Sequence, residues 1–200
     1  MIRLNGVDKN STLHELSEKN GTYYLADNPK LYEIQRSNNF DFVVTGIEDL
    51  VRVGLNAGTI KNAQEVLRLS VSSAEVPHFT QNAIPVKRGN STMKFAGVPE
   101  FKAGSITVTD YMGADTKGIV MAWQNCAYDV MTEKVGLATD YKKDAYLIEY
   151  TPDHQKVRQW VLRGCWVSGI SEEPFNSESN NARKITVNIE YDKGYLDTSD

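Results

Sequence analysis

The sequence predicts a mainly β fold of the α+β class, an antiparallel β-sandwich or partial barrel with one flanking α-helix. Several short segments alternate apolar and polar residues, turn-forming residues separate them, and one segment changes to a helical spacing of about 3.6 residues. With 200 residues, of which 40% are apolar, the chain is long enough to bury a sizeable core. We therefore expect a main domain built from about six or seven strands.

The predicted strands follow the alternation of side chains. It is clearest in residues 182–191, where isoleucine and valine alternate with lysine, threonine and asparagine. Pro77 and Pro152 end the segments before them because proline cannot donate a ladder hydrogen bond. Residues 46–65 have no firm period and are predicted to be a connector with local turns. The other predicted strands cover residues 39–45, 66–74, 91–96, 105–111, 145–151 and 156–167.

One helix is predicted over residues 116–129. Ile119, Trp123 and other apolar residues at helical spacing form a single stripe there. Asp115 or Thr116 can supply the side-chain oxygen that caps the first N–H groups. We expect this helix to lie across a sheet and to bury Trp123.

Residues 1–38 differ in composition from the rest of the chain. They are rich in Asn, Ser, Lys and Glu, with short helical patterns at 11–19 and 29–36, and are predicted to be a polar N-terminal arm before a main domain at 39–200. The N-terminal stretch has no apolar signal core, and no run of about 18 apolar residues occurs. We therefore expect synthesis and assembly in the cytoplasm, without membrane insertion.

The charge pattern argues against wrapping of nucleic acid. The formal net charge is −4, the isoelectric point is near 5.5, and the basic residues are scattered among acidic ones. A mildly negative surface suits a conduit for DNA better than a basic one, because a cationic wall would hold the phosphates.

The sequence offers no set of residues for catalysis. His14, His78 and His154 have no ligand or nucleophile at a functional spacing, and no G-x-S-x-G motif is present. Residues 113–118, GADTKG, lack the order of a phosphate loop. The two cysteines and three tryptophans lie in helix and strand patterns and are predicted to pack, and Glu172 and Glu173 are predicted to be separately hydrated acids of a loop. No enzyme activity, metal or cofactor is expected.

In order along residues 39–195, several short motifs together resemble the tail tube protein of contractile-tailed bacteriophages. They are the turn 73–77, the IPV tripeptide 84–86 that opens a basic hairpin, the return 95–108, MAWQN at 121–125, YKKDAYLIEY at 141–150, LRGCW at 162–166 and the closing ARKITVNIEYD at 182–192. The arm and residues 46–65 depart from the family pattern.

The resemblance implies a structural protein of the virion tail. In such a tube, hexameric rings join their inner sheets into one closed barrel and stack head to tail, which removes exposed sheet edges. The implied partners are the tail sheath, the baseplate, the tail terminator and a tape-measure protein, since a heterologous stack has no intrinsic end. DNA would pass through the lumen without specific binding and enter the host cell on sheath contraction.

Two sets of residues are assigned to surfaces of that tube. The polar hairpin 81–92, with Lys87, Arg88 and Asn90, is predicted to make the contact between rings. The polar positions of the barrel strands are predicted to line the lumen: Arg68, Ser70, Ser72, Thr107 and Thr109.

Two alternatives remain open from the sequence. The inner tube of a bacteriocin-like tail or of a secretion-system contractile machine would share the fold and carry another cargo. A small cytosolic β-barrel that binds a ligand is a candidate from another class, because the 10% aromatic content is compatible with a pocket.

Overall fold

Eleven strands and four helices form the part of the chain described by the computed structural model, which covers residues 34–54, 62–178 and 180–198. The predicted helical pattern 11–19, residues 29–33 of the pattern 29–36 and most of the predicted arm lie outside these residues, so the arm stays a prediction; residues 34–36 are not helical. The strands are β1 Phe40–Val44, β2 Val71–Ala74, β3 Phe79–Arg88, β4 Ser91–Phe101, β5 Gly104–Thr109, β6 Tyr128–Asp129, β7 Lys134–Val135, β8 Lys143–Tyr150, β9 Lys156–Glu172, β10 Lys184–Glu190 and β11 Lys193–Asp197. The helices are α1 Ile47–Gly54, α2 Ala63–Ser70, α3 Thr116–Ala127 and α4 Ala138–Tyr141.

The main sheet has seven strands, and all of its pairs are antiparallel. Its order is β1-β8-β9-β10-β5-β2, and β11 also pairs with β9. The end strands β1 and β2 do not pair with each other, so the sheet of the single chain is not closed into a barrel. The prediction of a mainly β fold is confirmed, and the strands of the described residues do not close into a barrel.

The long strand β9 belongs to both halves of the sheet. Residues 156–165 pair with β8, and residues 166–172 pair with β10. Gly164 lies at the junction with φ +66, where a Cβ would lie 2.3 Å from a carboxylate oxygen of Asp192. Only glycine meets both conditions, because it tolerates positive φ and adds no side-chain atom.

The core lies between the inner face of this sheet and helix α3. The alternation in β10 places Ile185, Val187 and Ile189 inside, as predicted. Helix α3 packs on β9, and Trp123 on this helix is 1% exposed. Its indole N–H donates to the carbonyl oxygen of Tyr141 at 3.0 Å, so the one polar atom of this buried ring is satisfied.

Helix α3 begins where the capping residues predict. The carboxylate of Asp115 accepts a hydrogen bond from the backbone N–H of Gly118 at 3.1 Å. A Cβ at Gly118 would lie 2.3 Å from that carboxylate. The glycine-containing run 113–118 is therefore a helix start.

The predicted strand over residues 66–74 is wrong in its first half. Residues 63–70 form α2, and only Val71–Ala74 are extended. Ala63, Leu67 and Ser70 are buried with the spacing of a helix face, whereas Leu69, which an alternating strand would bury beside Leu67, is 62% exposed. The short alternation of apolar and polar residues fits both periods here, and packing selects the helix.

The predicted connector 46–65 contains a further helix. In α1, Ile47, Leu50 and Val51 are buried with helical spacing and pack towards α3. Gly46, at φ +72, turns the chain into α1. The glycines of this segment obscured the helix because glycine is a strong signal for turns. Residues 55–61 lie outside the described part of the chain.

Glu172 is not a hydrated loop acid, and this prediction is wrong. It ends β9 and accepts from Lys117 on α3 at 2.7 Å and from Arg183 beside β10. The hydrogen bond from Lys117 is the main cause that lowers the pKa of Glu172, and the charges of Lys117 and Arg183 act in the same direction. The carboxylate therefore joins three elements at one corner of the fold. Glu173 is exposed, as expected.

We expect Trp123→Ala to lower the free energy of unfolding by about 3–5 kcal/mol, because it empties a large buried site and leaves the Tyr141 carbonyl without its donor. Urea unfolding of the unassembled chain, followed by circular dichroism, measures the change. Met112→Ala is the control, since Met112 is fully exposed and its loss should cost less than about 0.5 kcal/mol. Equal midpoints for the two variants would contradict the assigned core.

We expect Glu172→Gln to weaken the dependence of stability on pH. The folded pKa of Glu172 lies below the ordinary value of 4.5, so its contribution is complete above that value and is lost as the pH falls through the folded pKa. The difference between wild type and Glu172→Gln in the free energy of unfolding should be largest near neutral pH and shrink in acid. Glu173→Gln, at the neighbouring exposed residue, should show no such trend.

Candidate assembly surfaces

The hairpin β3–β4 is separate from the main sheet. Among the described residues its two strands pair with each other and with no further strand, and every side chain of β3 is exposed. Its base is fixed to the core: the ring of Phe101 contacts those of Phe79 and Tyr191, with centroids 5.7 and 6.3 Å apart, and the N–H of His78 donates to the Tyr191 hydroxyl. An isolated two-stranded hairpin is marginally stable in water, so a hairpin of this length calls for a partner surface.

One face of this hairpin is apolar. Ile84 pairs with Phe95 and Val86 pairs with Met93, and because these pairs are two residues apart, all four side chains lie on the same face. They are 39–52% exposed. Contiguous exposed apolar surface of this kind marks an interaction site. The sequence predicts a polar hairpin, because its polar and basic residues outnumber the apolar ones that the register brings together.

The hairpin also carries an unbalanced positive charge. The hairpin, residues 79–101, contains Lys87, Arg88 and Lys94, and its one acidic residue, Glu100, lies at the base, 4.0 Å from Lys102. Within the described residues, none of these three cations forms an ion pair, whereas Lys117, Lys142 and several arginines of the main sheet do. Three charges repel one another on a narrow ribbon, so an acidic partner would relieve them.

The residues predicted to contact a neighbouring ring lie together at the tip of this hairpin. Lys87 and Arg88 end β3, and Gly89 and Asn90 form the turn, with Gly89 at φ +60. The Ser91 hydroxyl donates to the Arg88 carbonyl across the turn at 3.1 Å. The tip is therefore an ordered, exposed and basic end.

The outer face of the main sheet near β5 is polar and rich in hydroxyl groups. Thr107 lies opposite Thr186 of β10 and Thr109 lies opposite Lys184, on the face turned away from buried Ile106 and Val108. The Ser72 hydroxyl donates to the Thr107 carbonyl at 3.1 Å. Ser72, Thr107 and Thr109 are thus neighbours.

Arg68 and Ser70 do not belong to this face. Both lie on α2, so the prediction that they occupy polar positions of barrel strands is wrong. Arg68 lies 3.6 Å from the carboxylate of Asp41. Ser70 is 1% exposed, and its hydroxyl donates to the Leu67 carbonyl at 2.9 Å. The hydroxyl is satisfied inside the helix and faces no surface of the subunit.

Several edges of the main sheet lack a partner within the described residues, among them that of the end strand β1, and two of these edges bound one segment of the sheet. Strand β2 pairs with β5 on one side only, and residues 166–172 of β9 pair with β10 on one side only. These edges bound the segment β9-β10-β5-β2, whose outer face is the polar one. An unpaired edge exposes N–H and C=O groups to any strand that can align with it.

The described residues give no support to a catalytic or metal site. They contain no group of three or more His, Cys, Asp or Glu side chains placed to hold a metal ion. Burial raises the pKa of the Cys165 thiol to about 12, and that of Cys126 is also raised, so neither thiol is a ready nucleophile at neutral pH. Among the described helices, none is long and apolar enough to span a membrane.

Solved structures with the same fold belong to contractile injection systems. The chain is similar to one in the extended sheath–tube complex of the extracellular contractile injection system PVC, with a TM-score of 0.60, 11% identity and coverage of 82% of this chain and 92% of that one. For a chain of the PVC sheath/tube terminator the TM-score is 0.58 and the identity 14%, with coverage of 83% of this chain and 98% of that one. For a chain of the anti-feeding prophage baseplate the TM-score is 0.55 and the identity 9%, with coverage of 82% of this chain and 95% of that one. At these identities the likeness concerns the fold alone.

The sequence itself carries a family signature. No curated protein matches the chain in sequence. The family model described as T4-like virus tail tube protein gp19 matches residues 38–194, which is most of the chain and nearly the whole range of the motifs that resembled tail tubes. The chain therefore belongs to the T4-like virus tail tube protein gp19 family.

Proposed function

We propose that this tail tube protein forms hexameric rings, that the rings stack into the inner tube of a contractile phage tail, and that the tube conducts DNA into the host cell when the sheath contracts. The observation that carries the proposal is the pair of unpartnered edges on one polar-faced segment of sheet. Edge β2 of one copy can align with residues 166–172 of β9 in the next copy, and a rotation that closes leaves neither of these two edges exposed.

The polar face of the same segment supplies a lumen wall. When the sheets of neighbouring subunits join, Thr107, Thr109 and Thr186 point into the enclosed channel together with Ser72 at its edge. Hydroxyl groups hydrate a wall without holding phosphates by charge, which permits DNA to pass without specific binding. A closed barrel of this kind needs several subunits, because the segment contributed by one chain is too narrow to close alone.

The hairpin β3–β4 supplies the contact between rings. Within the described residues its apolar face is exposed and its basic tip forms no ion pair. Contact with a neighbouring ring would bury the apolar face and pair the charges. The tail sheath, the baseplate, the terminator and a tape-measure protein are the proposed partners outside the homopolymer. The similar PVC and anti-feeding prophage chains come from sheath–tube, terminator and baseplate assemblies.

We expect the purified protein to form rings and rods in negative-stain micrographs, and Lys87→Glu/Arg88→Glu to abolish the rods while the chain stays folded. The charge reversal places two acids at the tip, and these would repel the acidic surface that we assign to the neighbouring ring. Lys134→Glu/Lys193→Glu is the matched control, since it makes the same charge change at exposed positions of β7 and β11. Long rods formed by the Lys87→Glu/Arg88→Glu variant would refute the assigned contact.

A chain that stays monomeric at high concentration, with or without a baseplate seed, and binds a discrete small molecule would instead support a ligand-binding barrel. Tubes in particles without DNA would support the bacteriocin-like or secretion-system alternative. These outcomes concern the cargo and the assembly separately, so each part of the proposal can fail by itself.

We expect maleimide labelling of Asn188→Cys to show that the polar face lines the lumen. Asn188 lies two residues from Thr186 on the same face and is exposed in the single chain. In unassembled protein its thiol should react with a small maleimide and with a bulky polymer-linked one. In tubes it should react with the small reagent only, because the polymer is wider than the channel. Equal reaction with the bulky reagent before and after assembly would place this face outside the tube.

A further inference from the structure

We propose that the basic hairpin of one copy binds in an acidic, partly apolar groove at the opposite end of the next copy, beside helix α2. This inference rests on the proposed stacking and adds the receiving surface. The groove has a volume of about 480 Å³. It is lined by Asn62, Glu65, Val66, Leu69, Tyr111 and Ala114.

The positions of hairpin and groove follow from the register of β2 and β5. Val71 pairs with Val108 and Ala74 pairs with Ile106, so the two strands run in opposite directions. Helix α2 enters at the Val71 end, where β5 also leaves towards Tyr111, and these neighbours form the groove. The hairpin leaves and returns at the other end, between Ala74 and Gly104. The two surfaces therefore lie at opposite ends of one strand pair, as a head-to-tail contact requires.

The charges of the two surfaces are complementary. The hairpin carries three cations and one acid, a net charge of +2, in a chain of net charge −4, so the remainder of the chain has a net charge of −6. Glu65 lines the groove on the first turn of α2, is exposed and forms no ion pair within the described residues. Glu48 lies beside it, because its carboxylate accepts from the N–H of Gln64 at 3.1 Å. Lys87 and Arg88 would face this acidic end.

The apolar parts of the two surfaces also correspond. In the groove, Leu69 is largely exposed and Tyr111 is about half exposed. Nothing in the described fold of the single chain covers them. The apolar face of the hairpin, with Val86 and Met93 nearest the tip, offers side chains of the same kind. The hairpin has a basic tip followed by apolar side chains, and the groove has an acidic residue and apolar walls. Charge and apolar surface therefore both favour the hairpin of a second copy of this chain as the occupant of the groove.

A charge-swap mixture tests the pairing. Lys87→Glu/Arg88→Glu and Glu65→Lys should each lower the amount of pelleted tube by about tenfold or more, because each brings like charges together. Mixing the two variants should restore tubes, since every hairpin can then find a groove of opposite sign in an alternating stack. Glu133→Lys is the control for Glu65→Lys; it makes the same charge change at an exposed residue that does not line the groove, and it should assemble like the wild type.

Circular dichroism should show that Glu65→Lys folds, because Glu65 is exposed. Wild-type tubes together with an unrestored mixture, or full assembly by Glu65→Lys alone, would overturn the receiving groove and leave the tube function standing. Absence of rods in the wild-type protein would overturn the tube function itself, and the groove with it.

Chemical cross-linking gives a second readout. Asn90→Cys/Ala114→Cys places one thiol at the hairpin tip and one in the groove. In tubes, a short bifunctional thiol reagent should give a ladder of dimers, trimers and longer chains, because each copy uses both surfaces. Asn90→Cys alone should give no ladder, and wild type should give none, since Cys165 is buried and Cys126 is partly buried. Dimers without longer products from the double variant would indicate a symmetric contact and contradict the proposal.

Discussion

Backbone pairing along strand β9 is the constraint on which the rest of the fold depends. One continuous strand gives its first part to β8 and β11 and its second part to β10, so it determines where the two halves of the sheet meet. The bend at Gly164 is held by Asp144, which accepts from the Gly164 N–H and pairs with Arg163. Because β8 ends its pairing at Cys165, the second part of β9 keeps one side free. The same strand thus organises the core and leaves an edge for assembly.

The helices complete the core on one side only. Buried side chains of α1 and α3 fill the space over the inner face of the sheet, and Glu172 ties α3 to the end of β9 and the start of β10 through Lys117 and Arg183. Within the described residues no helix covers the outer face between β2 and the end of β9, and this face is polar. Such a face can stay in water in the single chain, and in the proposed ring it would turn towards the channel.

The sequence predicted the fold well where one local period dominates. The alternation in β10 and the apolar stripe of α3 each fit one secondary structure, and both elements appear where expected. Residues 66–70 were misassigned because a short alternation also fits a helix, and the choice depends on distant packing partners of Leu67. Strand β11 was missed because its five residues include Lys193, Gly194 and Asp197 and gain their order from pairing with β9.

The proposed assembly surfaces could be predicted only in part from the sequence. The basic tip at Lys87 and Arg88 was recognised from adjacent residues, whereas the apolar face required the register that sets Ile84 against Phe95. The groove could not be predicted, because it combines α2 with Tyr111 across more than forty positions of the chain and depends on a helix that was read as a strand.

If the proposed stack forms, the placement of hairpin and groove at opposite ends of one strand pair has a consequence for how the filament starts and stops. The two ends of that filament would differ chemically, because one end would expose basic hairpins and the other would expose empty acidic grooves. An initiating protein therefore has to imitate just one of these surfaces, and a capping protein the other. The filament would therefore be polar, because each copy carries the hairpin at one end and the groove at the other.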